Sequence, residues 1–318
     1  MRRRAALAIG MGAAVGISSA GTVRASEAAA TVDWLRQVAV EADDLLTEAR
    51  YSALNRRVPE LLRRMAGSAR WRGVSRAEIA GTRSRLMSTW AMGLVRTGDH
   101  ERAREALSAA CEEAAAASSP LLSVEADRVE GVIARRGDID GADAWFVDAA
   151  ERLESETGSA SRAEREASAR LWVQAGYTAA LSGDRGRAWD HYETAVDLWP
   201  GESDTVWVRD LDFSVYAVSL ARAGGEPDRS LALADDVDTD RIRSVHQLGM
   251  FRKDEALAAS ETGDSGRAVA ALESIDRFAP EMLCHRPWVE SVVGKVLSSR
   301  EGGRSRVVRR LSRDRGPA

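Results

Sequence analysis

The sequence predicts an all-α chain of about six or seven helical hairpins, and three observations carry the prediction. First, Gly98-Asp99, Gly137-Asp138, Gly183-Asp184 and Gly263-Asp264 each lead to an alanine five residues after the glycine: Ala103, Ala142, Ala188 and Ala268. A degenerate copy, Gly225-Glu226 to Ser230, falls before the last of these, so the stride is 39, 46, 42 and 38 residues. Second, apolar residues spaced by three and four flank each glycine, which places them on one face of a helix. Third, only 7 prolines and 5% aromatics, with abundant Ala, Leu, Arg and Glu, favour helix throughout. Short β-branched runs such as Val292-Val293 do not alternate long enough to make a sheet.

Residues 1–29 form a signal-like or linker segment. Arg2-Arg3-Arg4 precede an Ala/Gly-rich apolar stretch from Ala5 to Ile17, and Val23-Arg24-Ala25 offers a small-residue cleavage site. The expectation is a cytoplasmic protein; export on a twin-arginine-like signal, cleaved near Ala25, is the alternative. The apolar stretch is too short and too rich in glycine to span a membrane. The repeat domain is expected over 30–300, with its first hairpin drawn from Trp34, Leu35, Leu45-Leu46 and Val58–Leu62. Residues 301–318 read as a basic tail, helical at most near Val307–Leu311 and otherwise disordered.

Within each copy the residue types suit a helix–turn–helix bend. Glycine at the end of the first helix enters the left-handed region without a Cβ clash. The aspartate after it caps the second helix. The alanine lets the two helices approach closely, and Leu107, Phe146 and Tyr192, four residues further on, fill the space between hairpins. This pattern resembles the tetratricopeptide repeat, most fully over 169–202, where Trp172, Gly176, Ala188, Tyr192, Ala195 and Pro200 fall in place. The fifth copy keeps Ala268 and Pro280 but has Arg252 where tryptophan would sit. The stride exceeds the usual ~34 residues, which predicts longer helices or longer links.

The span 30–298 further resembles the C-terminal half of bacterial regulators in which an XRE-type helix-turn-helix domain precedes tetratricopeptide-like repeats. The residues carrying the resemblance are the basic-apolar segment 2–17, Val215-Tyr216-Ala217-Val218 leading to Arg229–Ala234 and Val237-Asp238, and Ala279-Pro280-Glu281 with His285-Arg286-Pro287 and Val289. It implies an α-solenoid acting as a regulatory protein or peptide interaction module linked to transcription. A DNA-binding domain is not expected within this sequence; Ala69, Gly73-Val74-Ser75 and Ile79 have a helix-turn-helix spacing, but Thr82 and Gly67 break its packing pattern. Direct DNA reading is therefore not expected. An exported envelope scaffold and a small-molecule sensor inside the superhelix are the alternative functions.

Other chemistry is not indicated. The net charge of −4 gives no case for a nucleic-acid binder. Cys111 and Cys284 are expected to be buried free thiols, and His100, His191, His246 and His285 are scattered. No metal spacing, catalytic triad or phosphate loop is present in the sequence, so no enzyme activity and no cofactor are expected.

If the first helix of each hairpin lines a concave face, the repeat phase puts Arg85, Met92 and Arg96 there from the first clear copy. Asp127 and Arg135 follow from the second, Arg170 and Tyr177 from the third, Ser219 and Arg222 from the fourth, and Lys253 from the fifth. Six of these ten are basic in an acidic chain, which suits a carboxylate-bearing protein or peptide partner because arginine pairs carboxylates bidentately. Arg96, Arg135 and Arg222 also stand in the last turn of their helices, where a cation meets the negative end of the dipole without any partner. Replacing Arg85, Arg170 and Lys253 together is expected to abolish capture and leave helicity unchanged.

Overall fold

The computed structural model describes residues 18–67, 71, 73–156, 161–199, 212–284 and 286–313, with side chains described from residue 30. Every regular element among them is helical. Six hairpins follow in order: α1 (Ser18–Thr47) with α2 (Tyr51–Met65), α3 (Arg76–Thr97) with α4 (His100–Ala117), and α5 (Pro120–Ala134) with α6 (Ile139–Glu156). Then come α7 (Arg162–Ser182) with α8 (Arg185–Leu198), α9 (Phe213–Ala223) with α10 (Pro227–Asp235), and α11 (Val245–Thr262) with α12 (Ser265–Phe278). Three shorter helices close the chain: α13 (Pro287–Val296), α14 (Arg300–Arg304) and α15 (Arg306–Arg313).

The bends behave largely as their residue types require. Gly98, Gly183 and Gly263 have φ of 86°, 90° and 85°, the left-handed region that ends a helix cheaply only with glycine. Asp99, Asp184 and Asp264 then accept the backbone N–H groups of Arg102, Arg187 and Arg267 at 3.3, 3.1 and 2.9 Å. Gly137 departs from the pattern. Helix α5 ends at Arg135 in a right-handed conformation, and a turn carries the chain through Gly137. Asp138 still caps α6 through Gly141 N–H at 2.9 Å. Ala103, Ala142, Ala188 and Ala268 are all at most 1% exposed, so the small residue sits at the closest helix approach. In the degenerate copy Ser230 is equally buried, and its hydroxyl donates to the Val218 carbonyl, so the polar atom costs little. At Gly176 a Cβ would lie 2.8 Å from the Ala188 carbonyl oxygen, which is why α7 and α8 can touch there.

The long stride follows from helix length: α3 and α7 have 22 and 21 residues. The helix-turn-helix spacing around Gly73 is an ordinary helix start, since Ser75 caps α3 in a reciprocal pair with Glu78. Ala69, Pro200, His285, residues 1–17 and residues 314–318 lie outside the described residues, so the basic-apolar segment 2–17 does too. The boundary at 29/30 falls inside α1. The basic end is more structured than the sequence suggested: α15 spans Arg306–Arg313, and Val308 is fully buried in the cluster formed by α11, α12 and α13. The expectation of buried thiols fails, because Cys111 and Cys284 are both exposed and free.

Each hairpin packs on the next. The odd-numbered helices also touch one another in succession, α1 on α3, α3 on α5, α5 on α7, α7 on α9 and α9 on α11. The succession closes, for α11 also contacts α1. At that junction the Tyr51 hydroxyl lies 2.7 Å from His246 Nδ1, and Glu281 accepts from both the backbone N–H and the hydroxyl of Ser52. Ala49 and Tyr51 are buried in the same hydrophobic cluster as Leu272, Val289 and Val292. The first bend is thus part of the C-terminal core.

Candidate functional site

Contacts between successive odd-numbered helices bring many of the sequence-predicted residues against one another, and the structure pairs many of them within the chain. Arg85 reaches Asp43 of α1 through Nε at 2.9 Å, and Thr89 donates to the other oxygen of the same carboxylate. Burial pushes the Asp43 carboxyl up, with Arg85 opposing. Arg170 Nη1 lies 3.4 Å from Glu125, whose other oxygen is 2.6 Å from Arg128. Burial would raise the Glu125 carboxyl, but Arg128 and Arg170 outweigh it and hold the group below its ordinary value. These residues, with Leu121, Val124, Ala167 and Leu171, line a small cleft between α5 and α7.

A second knot forms around Asp254, which is fully buried. It accepts from Ser219, from Arg222 Nε at 3.0 Å, and from Lys253 Nζ at 3.1 Å. Burial again opposes ionisation, and Lys253 and Arg222 together overcome it, so the carboxyl is depressed. Tyr177 stands beside the same charges.

Two predicted residues are misplaced. Met92 is 5% exposed and belongs to the hydrophobic cluster shared by α3, α5 and α6. It is core because its face of α3 packs against neighbouring helices. Asp127 points outward to α6, where it pairs with Arg152, and burial raises its carboxyl. It lies two residues from Glu125, a step of roughly 200° around a helix, so it is Glu125 that meets Arg128 and Arg170.

Arg96 and Arg135 differ from the other four bases. Neither makes an ion pair with a carboxylate among the described residues. Arg135 donates to Gln174 at 3.3 Å and Thr178 at 3.1 Å and lies over the Tyr177 ring, 4.9 Å from its centre. Its pKa is lowered to about 10, first by burial, with Arg96 adding to the effect. Arg96 has its Nε buried without a hydrogen-bond partner. The triple replacement of Arg85, Arg170 and Lys253 consequently becomes a test of internal ion pairs as much as of capture.

The carboxylates that neutralise these bases do not stand out in the sequence. Glu125 and Arg128 carried a signal in their three-residue spacing, and Asp254 in its position beside Lys253. The pairing of Asp43 with Arg85 and of Tyr51 with His246 carried none, because 42 and 195 residues separate the partners. Among the described residues no group of three or more His, Cys, Asp or Glu is placed to hold a metal ion, and no helix is long and apolar enough to cross a membrane. The architecture defines an all-helical chain of packed hairpins. Comparison with family models, with curated proteins and with solved structures finds no match to this chain.

Proposed function

We propose that this chain is a tetratricopeptide-like α-solenoid acting as a regulatory interaction module, gripping an acidic protein or peptide segment in a transcription-linked pathway. The supporting observation is the contrast along one lining: Arg85, Arg170, Arg222 and Lys253 are neutralised by Asp43, Glu125 and Asp254, whereas Arg96 and Arg135 are left without a carboxylate. A partly buried guanidinium without a counter-charge is electrostatically costly and is relieved by an incoming carboxylate. The paired residues fix the lining in place, and the two unpaired arginines supply the grip. The link to transcription rests on the resemblance to repeat-bearing regulators.

The test is titration of a fluorescent Asp/Glu-rich peptide into the wild type and into a variant carrying Arg96→Gln and Arg135→Gln. Saturable, salt-sensitive binding that the double variant loses supports the reading. Equal binding by the variant, or by a neutral peptide of the same length, sinks it.

A further inference from the structure

We infer that Arg96, Arg135, Arg136 and Arg286, with His100, form a binding site for the dianionic phosphate group of a small soluble ligand. The site shares Arg96 and Arg135 with the acidic-peptide lining but needs no protein partner.

Its assembly is a consequence of the closed succession of helices. Helix α2 lies across two distant bends. Asn55 Nδ2 donates to Thr97 Oγ1 at 3.0 Å, at the end of α3 and next to Arg96. One turn earlier on α2, Ser52 holds Glu281 by two hydrogen bonds, 2.8 and 2.9 Å long, a few residues before Arg286. Leu283 and Val289, which flank Arg286, are buried in one cluster with Tyr51. On the other side, Arg136 Nη1 lies 2.9 Å from His100 Nε2, which joins the end of α5 to the start of α4. Arg135, the preceding residue, donates to Gln174 and Thr178 of α7, and Arg96 is close enough to depress Arg135 and Arg136 alike. Residues from positions 96 to 286 are therefore collected around the ends of α3 and α5.

The charges collected there do not cancel. None of the four arginines pairs with a carboxylate among the described residues, although arginines elsewhere in this chain commonly do. Arg286 is lowered to about 10, first by burial and then by Arg96, and Arg136, though exposed, is lowered in the same direction by partial desolvation, with Arg96 contributing. Both Arg135 and Arg286 nevertheless stay cationic near neutral pH, because about 10 is well above 7. His100 accepts from Arg136 on Nε2, which puts its proton on Nδ1, and that nitrogen is buried with no hydrogen-bond partner. Arg96 Nε is a second donor in the same condition. Unmade donors and uncompensated cations in one place are the complement of a tetrahedral oxyanion, which offers several acceptors and more than one charge. A lone carboxylate would neutralise only one of the four guanidiniums, so the multiplicity favours phosphate.

A structural arginine and a ligand-binding arginine respond oppositely to removal. If the cluster is a site, Arg286→Gln relieves repulsion and raises the thermal midpoint of the protein without phosphate, while it weakens phosphate binding. The measurement is calorimetric titration of the full chain with inorganic phosphate, together with melting curves at matched ionic strength in phosphate, acetate and chloride. Wild-type protein is expected to bind phosphate saturably and to be stabilised by it alone. Arg286→Gln and Arg136→Gln are each expected to bind at least about tenfold more weakly, a loss of about 1.4 kcal/mol. Equal stabilisation by acetate or chloride overturns the proposal, as does a wild type that binds no phosphate or a variant that melts lower and binds as well. Loss of phosphate binding leaves acidic-peptide capture to be decided by its own titration, so the two readings fail separately.

Discussion

Removing the Asp254 carboxylate should damage the fold more than any other single change among these ion pairs. The side chain is fully buried and receives Ser219, Arg222 and Lys253, whose own side chains are largely enclosed. Asp254→Ala leaves two cations facing each other with no counter-ion. Breaking a buried pair by deleting one partner costs about 3–5 kcal/mol. For a chain of 318 residues, an unfolding entropy of about 2.1 cal/mol/K per residue turns that into a fall of roughly 4–7 °C in the melting midpoint. The pH dependence has a definite sign. The carboxyl is depressed in the folded state, so its stabilisation is present above the ordinary carboxylate range and is lost as pH falls through the lowered value. Urea denaturation of wild type and Asp254→Ala at neutral pH measures the difference, and a cycle with Arg222→Met and Lys253→Met assigns it. If Asp254→Ala costs less than about 1 kcal/mol, the size of an exposed pair, or if adding Arg222→Met and Lys253→Met restores no stability, the reasoning about uncompensated buried charge is wrong.

Other outcomes follow from single contacts. Gly176→Ala should lose about 1–3 kcal/mol by forcing α7 away from the Ala188 carbonyl, whereas Gly186→Ala, with only the Asp184 carboxylate near its Cβ, should be close to neutral by the same denaturation assay. Replacing Gly183 with alanine should cost about 1–2 kcal/mol, because φ of 90° is strained for any residue with a Cβ; Gly137→Ala, outside that region, should cost less. His246 is held far below its ordinary pKa by burial and then by Arg96. The unfolded chain therefore gains a proton that the folded chain refuses, and stability should fall as pH drops below about 6.5. A His246→Gln variant should flatten that slope, which melting curves between neutral and mildly acidic pH will show. Tyr51→Phe, removing the hydroxyl from His246 Nδ1, should cost about 1–3 kcal/mol and speed amide exchange at the start of α11.

The local geometry of the chain is encoded within short stretches of residues. Left-handed glycines, capping aspartates and buried alanines act within a few residues of one another, so Gly183-Asp184 and Ala188 announce their bend without knowing the rest of the fold. The same locality explains the misreadings. Gly137 matches the motif, yet α5 has already ended at Arg135. Met92 has the right phase for an exposed lining residue, but neighbouring helices bury it. Which charges are spent and which are left over depends on how the helices meet. Asp43 with Arg85, Ser219 and Arg222 with Asp254, and Tyr51 with His246 come from different helices, and no periodicity within one helix encodes the residue opposite it. The closure of α11 on α1 is of this kind as well. It depends on the summed angles of successive hairpins, a quantity that no single copy of the repeat carries.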